Sequence, residues 1–138
     1  MGFLRLSLAG TLLLSAVAAT GCDDSPTLPD GPLTVTETYA NLLALGGATS
    51  RGFVVRNAGD VTMKLIGLGV ASEEEVGIAI GTNDSRTGAC SRDFTEVTSV
   101  SAARNISRRF EPGVYCATVY DVGKLTLSST FIVTIEHQ

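Results

Sequence analysis

Phe131-Ile132-Val133-Thr134-Ile135-Glu136 places a large apolar side chain at every second position. Side chains alternate faces along a strand, so Phe131, Val133 and Ile135 share one side and Ile132, Thr134 and Glu136 the other. The same period recurs upstream. Tyr115, Ala117 and Val119 alternate with Cys116, Thr118 and Tyr120, and Val76, Ile78 and Ile80 alternate with Gly77 and Ala79. Val61, Met63 and Leu65 oppose Thr62 and Lys64, while Phe53 and Val55 oppose Val54 and Arg56. A face with three large apolar residues is what one half of a sandwich needs. Further strands are expected over residues 33–39 and 104–110.

Turn chemistry falls between these runs. Gly46-Gly47 precedes the Phe53 strand, residues 81–88 form a polar loop, Glu111-Pro112-Gly113 is a turn, and Asp121-Val122-Gly123-Lys124 is another. Asn57-Ala58-Gly59-Asp60 reads as a short hairpin connection. No segment keeps helical periodicity over several turns, although residues 95–109 leave room for one short helix. The expected fold is all-β: a single antiparallel β-sandwich, jelly-roll or Ig-like, of about seven or eight strands.

The chain has 138 residues, which suits one domain, and 15 glycines with many Thr, Ser and Val favour strands and tight turns. Its formal charge of −4 leaves no electrostatic footprint for nucleic acid. Arg104, Arg108 and Arg109 form a small basic group that reads as a solvated strand face.

The N-terminus has a different character. One positive charge, Arg5, precedes an apolar run that contains Leu6, Leu8, Leu12, Leu13, Leu14 and Val17. Small residues then lead to a cysteine in Ala19-Thr20-Gly21-Cys22. The run is short for a membrane span and fits a secretory signal. It resembles the bacterial lipobox, with Ala19 where that motif more often has Leu. The resemblance implies cleavage before Cys22 and attachment of a diacylglycerol to its thiol. An ordinary signal with an unmodified cysteine, or a short anchor helix, fits the same residues. Asp23-Asp24-Ser25-Pro26-Thr27-Leu28-Pro29-Asp30-Gly31-Pro32 follows. Its Pro and Asp cannot pack, so it reads as a tether reaching roughly 30 Å when extended. The layout is thus residues 1–21 as signal, 22–32 as lipidated cysteine and tether, and 33–138 as the sandwich.

The chain has 3 cysteines. With Cys22 acylated, Cys90 and Cys116 remain as a pair, and an exported compartment lets them oxidise. Such a disulfide would contribute about 3.5 kcal/mol by restricting the unfolded chain. Two separate thiols, or a metal pair, are the alternatives, and two Cys without a nearby His make a poor zinc set.

Glu111-Pro112-Gly113-Val114-Tyr115-Cys116 and the closing Phe131-Ile132-Val133-Thr134-Ile135 are similar to the end of the bacterial pre-peptidase C-terminal (PPC-like) domain family. Leu45-Gly46-Gly47-Ala48-Thr49-Ser50-Arg51-Gly52-Phe53-Val54-Val55 resembles that family's opening, and Gly59-Asp60-Val61-Thr62-Met63-Lys64-Leu65 its next strand. The resemblance covers roughly residues 42–138. It implies a β-sandwich accessory module of secreted or surface proteins that is not itself an enzyme. The family often has an Asp pair in the following strand that serves metal binding. Here that stretch is Glu75-Val76-Gly77-Ile78-Ala79-Ile80, so no metal site carries over. The Cys90 and Cys116 pair is an addition to the family pattern.

Little points to catalysis. The one histidine, His137, lies beside the C-terminus, where a side chain is seldom held firmly enough to act as a base. No Ser occupies a Gly-x-Ser-x-Gly elbow. Glu73-Glu74-Glu75, and Asn83-Asp84-Ser85 with Asp93, offer oxygen ligands for Ca²⁺, but charged turns explain both. Tyr120 opposes Tyr115 in parity and either presents an exposed ring or covers a neighbour. No cofactor or metal is expected.

The expected function is a non-catalytic module anchored by lipid at the cell envelope, at the inner or outer membrane, facing the periplasm or the cell surface. It would engage a protein or glycan partner. A structural component acting by self-association or docking is the alternative, and an enzyme of unrecognised type the third. A concave polar face with an exposed aromatic would favour a glycan, and a broad flat apolar patch a protein.

Overall fold

The period-two runs become eight strands in the computed structural model, which describes residues 31–69 and 73–138. They are β1 (Val35–Leu43), β2 (Ala48–Val55), β3 (Gly59–Leu68), β4 (Val76–Thr82), β5 (Phe94–Thr98), β6 (Asn105–Phe110), β7 (Gly113–Asp121) and β8 (Ser129–His137). No helix occurs among the described residues. Cys22, the signal-like segment and most of the tether lie outside them.

Two four-stranded antiparallel sheets form, in the orders β1-β8-β3-β6 and β2-β7-β4-β5. The first strand pairs with the last, the second with the seventh, the third with the sixth and the fourth with the fifth. The chain is one long hairpin rolled onto itself, which is the jelly roll of the two expected arrangements. Phe131, Val133 and Ile135 of β8 and Val61, Met63 and Leu65 of β3 fill the inner face of the first sheet. Phe53, Val55, Val76, Ile78, Ile80, Ala117 and Val119 meet them from the second. Burying each large apolar side chain contributes about 1.5–3 kcal/mol.

Three expectations need correction. Residues 57–60 do not close a hairpin, because β2 and β3 belong to different sheets and the segment crosses between them. Phe53 faces the core from the second sheet and Val61 from the first. The first strand runs on to Leu43. Residues 95–109 hold no helix; they hold most of β5, a turn and β6. One turn does coil there: the Ser99 hydroxyl accepts from Ala102 N at 3.1 Å, and Ser99 O from Ala103 N at 3.0 Å. Ala103 then takes φ of 51°, which ends it.

β4 is buried on both faces from Val76 to Gly81. Residues 83–93 form a strap held to this sheet. Asn83 bridges Cys90, and Cys90 is bonded to Cys116 of β7 with the Cα atoms 5.9 Å apart. In register, Cys116 has Gly52 on one neighbouring strand and Gly81 on the other. The Ser91 backbone presses onto Gly81, whereas a Cβ at Gly52 would meet only Tyr115 O at 3.8 Å. Tyr120 lies flat on its register partner Gly77, and the Arg92 guanidinium stacks over the ring at 4.2 Å. Tyr120 therefore covers a neighbour and is itself covered.

At the opposite end from the Val35 entry, the Asp121 carboxylate gathers four backbone amides. It accepts from Gly46 at 2.8 Å, Gly123 at 2.7 Å, Lys124 at 3.2 Å and Leu125 at 3.3 Å. The Gly46 amide lowers its pKa most; desolvation opposes it, and the amides of Gly123, Leu125 and Lys124 add to the lowering, so the carboxyl is held below the ordinary value of 3.8.

Gly81→Ala should destabilise the protein by about 2 kcal/mol, because Ser91 cannot withdraw while the disulfide holds it. Gly52→Ala should be near neutral, and urea midpoints compare the two. Asp121 binds a proton less readily when folded. Its stabilisation is complete above the ordinary carboxylate value and is lost as pH falls through the depressed one. Asp121→Ala should lower the thermal midpoint at neutral pH and lose part of the wild-type decline on acidification below about pH 4.

Candidate ligand-binding cleft

A jelly roll leaves two open sides, where edge strands of opposite sheets face each other. Here they are β1 with β2, and β5 with β6. A row of rings runs between these sides. Phe94 meets Phe110 at 5.6 Å, Phe110 meets Tyr115 at 4.9 Å, Tyr115 meets Phe53 at 6.1 Å, and Phe53 meets His137 at 5.6 Å. Its two ends differ. His137 is 4% exposed and Phe94 is 39% exposed.

On the β1–β2 side, His137 Nε2 lies 3.0 Å from Glu37 Oε1, and Arg51 lies 3.7 Å from Glu37 Oε2. A carboxylate only accepts, so Nε2–H donates to it. His137 Nδ1 is buried with no hydrogen-bond partner, which suits a bare lone pair better than an N–H. The expectation of a loosely held chain end is corrected. His137 pairs with Val35 in register, and the next residue's carbonyl, Gln138 O, accepts from Arg56 N at 2.9 Å and Asn57 N at 3.2 Å. A cavity of about 420 Å³ lies here over Phe53, Val54 and Arg56, and no Ser, Thr or Cys lines it. Its buried polar groups chiefly hold one another.

The β5–β6 side is more polar and presents an aromatic. A cleft of about 380 Å³ is lined by Asp93, Phe94, Glu96, Asn105, Ser107 and Arg108, among others. Both strands are sheet edges, so the backbone groups on their outer flanks have no neighbouring strand. Arg104 pairs with Glu96 at 3.7 Å. The Arg108 guanidinium lies 5.6 Å from the Phe94 ring centre. Ser107 Oγ shares a 3.1 Å hydrogen bond with Thr62 of β3. The three arginines expected to form one solvated face are thus divided. Arg108 lines the cleft, Arg104 pairs with Glu96 of its lining, and Arg109 stands opposite Asp60 in register. Nothing in the sequence reading singled out Phe94. Its one signal was an aromatic standing alone in the polar run Ser91-Arg92-Asp93-Phe94-Thr95-Glu96.

The strap positions the start of β5. Ser91 Oγ donates to Asp93 Oδ2 at 2.9 Å and accepts from Thr82 N at 2.8 Å, while Cys90 and Arg92 on either side are tied to β7. Cys90 and Cys116, paired as the sequence suggested, therefore tether one wall of the cleft.

Glu74, Asp84 and Asp93, which the sequence offered as calcium ligands, are each engaged with another partner. Glu74 accepts from the Thr126 hydroxyl at 2.7 Å. Asp84 accepts from Arg86 N at 2.8 Å, and that amide, with the Thr87 hydroxyl, lowers its pKa. Asp93 turns toward Ser91 and away from Asp84's partners. Among the described residues no three His, Cys, Asp or Glu side chains gather as a metal site. No protein-family model matches this chain, and no curated protein matches it either.

Replacing both Cys90 and Cys116 by Ala should cost about 3.5 kcal/mol. Hydrogen exchange should show amides 90–95 opening far more than those of β8 in that variant; equal loosening throughout would mean the disulfide does not position β5.

Proposed function

We propose that this chain is a non-catalytic binding module, tethered by lipid at Cys22 to a bacterial cell envelope, and that its partner is a glycan. The lipid anchor rests on Ala19-Thr20-Gly21-Cys22 behind an apolar run and before a Pro- and Asp-rich tether. The accessory role rests on the likeness of residues 42–138 to PPC-like modules. The observation that carries the glycan reading is the β5–β6 cleft, in which a partly exposed aromatic ring, Phe94, stands among charged side chains, Glu96 on its own strand and Arg108 across the gap. Pyranose rings present an apolar C–H face to such a ring and hydroxyls to the polar rim.

A protein partner is the second reading. Leu42, Ile66 and Ile132 are exposed on the first sheet, and Ala40 and Gly67 flank Ile132 in register. This small apolar area would support docking or self-association.

Mass analysis of the processed protein from a bacterial membrane should show diacylglycerol on Cys22, and Cys22→Ser should release the protein. Electrophoresis in gels containing soluble polysaccharides should retard the wild type. Phe94→Ala should weaken that retardation about tenfold, the effect of losing one ring contact. Unchanged mobility in every polysaccharide, with concentration-dependent dimerisation instead, would favour the second reading.

A further inference from the structure

We infer that the β5–β6 cleft selects a carboxylate-bearing sugar, with Phe94 stacking on its ring and Arg108 binding its carboxylate. This rests on the glycan reading above and adds the chemistry of the ligand.

The charges around the cleft are unequally engaged. Glu96 has Arg104 at 3.7 Å, and Asp93 turns Oδ2 to the Ser91 hydroxyl at 2.9 Å. Arg109 faces the far side of β6, opposite Asp60. Arg108 is the cation lining the cleft that has no carboxylate partner among the described residues.

Its position on β6 is unusual. Arg108 has the same parity as Ile106 and Phe110, each 6% exposed, yet it is itself exposed. A core-parity position has been given to a cation that lies along the flank. An inward-pointing charge on an edge strand also discourages sheet-to-sheet association, and lysine would serve that purpose equally. A planar fork that matches a carboxylate is specific to arginine.

The two cation–ring pairs of this protein also differ. Arg92 closes onto Tyr120 at 4.2 Å, a finished stack, whereas Arg108 stays 5.6 Å from the Phe94 centre. The latter is near the limit of about 6 Å for such attraction. The guanidinium keeps a looser distance from a ring that stays partly exposed. A uronic acid carries its carboxylate at the edge of the pyranose ring, so stacking on Phe94 brings that group toward Arg108. Glu96, which shares the parity of Phe94 on β5, lines the same cleft and can accept from a sugar hydroxyl.

The test is titration calorimetry of the full processed chain with polygalacturonate oligomers and with the same oligomers methyl-esterified. The acidic form should bind about tenfold more tightly, as a charge-assisted pair predicts, and added salt should shrink the difference. Arg108→Gln should abolish the preference while leaving binding of the ester. Arg108→Lys should restore only part of it. Phe94→Ala and Phe94→Leu should weaken both ligands, with circular dichroism confirming the fold. Equal affinity for acid and ester, with Arg108→Gln silent, would overturn the carboxylate inference and leave the glycan reading standing. Equally tight binding of polyglutamate, which has no sugar ring, would also overturn it. Binding of neither oligomer would overturn the carboxylate inference, and the polysaccharide gels would then decide the glycan reading.

Discussion

Everything in this domain waits on β8. It inserts between β1 and β3, and its Phe131, Val133 and Ile135 are fully buried at the centre of the first sheet. Before it arrives, β1 has no hydrogen-bonded neighbour and β3 lacks one of its two. The partners it joins lie most of the domain apart in sequence, so the loop-closure cost precedes most of the reward. The nested pairing of first strand with last makes the jelly roll an all-or-nothing closure. A small core with one covalent brace is then enough, because the brace acts on the unfolded chain while β8 acts on the folded one.

The fold was legible because its decisive strands are half-buried and announce one face each. β8 alternates throughout and β3 alternates from Val61 to Leu65, before its register shifts toward Gly67, and both were read correctly from those stretches. β5 was illegible for the converse reason. It is a five-residue edge strand with only Thr98 fully buried, so it has no apolar stripe to reveal it. Ser99 and the alanines after it compete locally for a helical turn, and the sequence pattern there is truthful about one turn and silent about the rest. The candidate cleft inherits that blindness, since one of its walls is β5. Its other wall, β6, was visible, but the parity of Arg108 means little until Phe94 is known to face it. His137 was misjudged because nearness to a chain end says nothing about register: its pairing with Val35 holds it as firmly as an interior residue.

Glycine on β4 has a purpose that periodicity hides. Val76-Gly77-Ile78-Ala79-Ile80-Gly81 reads as a strand with one apolar face and one weak one. The weak face is where Tyr120 lies and where the Ser91 backbone rests. Small residues on the outer face let the strap approach, and the strap in turn covers backbone that those residues would leave bare. The disulfide sits in the row flanked by Gly52 and Gly81, so the same spacing that admits the strap also brings Cys90 within bonding reach of Cys116.

The difference between the two open sides follows from where each is tied. β1 and β2 are joined near their connecting turn by Thr49 Oγ1 donating to Leu42 O at 3.2 Å, and again far from it through Arg51, Glu37 and His137. β5 and β6 are joined near their turn by Thr98 Oγ1 donating to Arg104 O at 3.1 Å and by Arg104 with Glu96. Toward Phe94 no ion pair crosses between them among the described residues. Solvent-exposed pairs such as Arg51 with Glu37 contribute at most about 1 kcal/mol. What secures the first side is therefore the buried imidazole, which Arg51 merely caps. The second side has an aromatic ring at the corresponding end of the row, and a ring has no hydrogen bond to spend on closing the gap. Phe94 meets Phe110 of β6 edge to face with Arg108 beside it, so the strands touch there through rings and a cation, and part of the ring stays exposed where the other side is closed by a hydrogen bond.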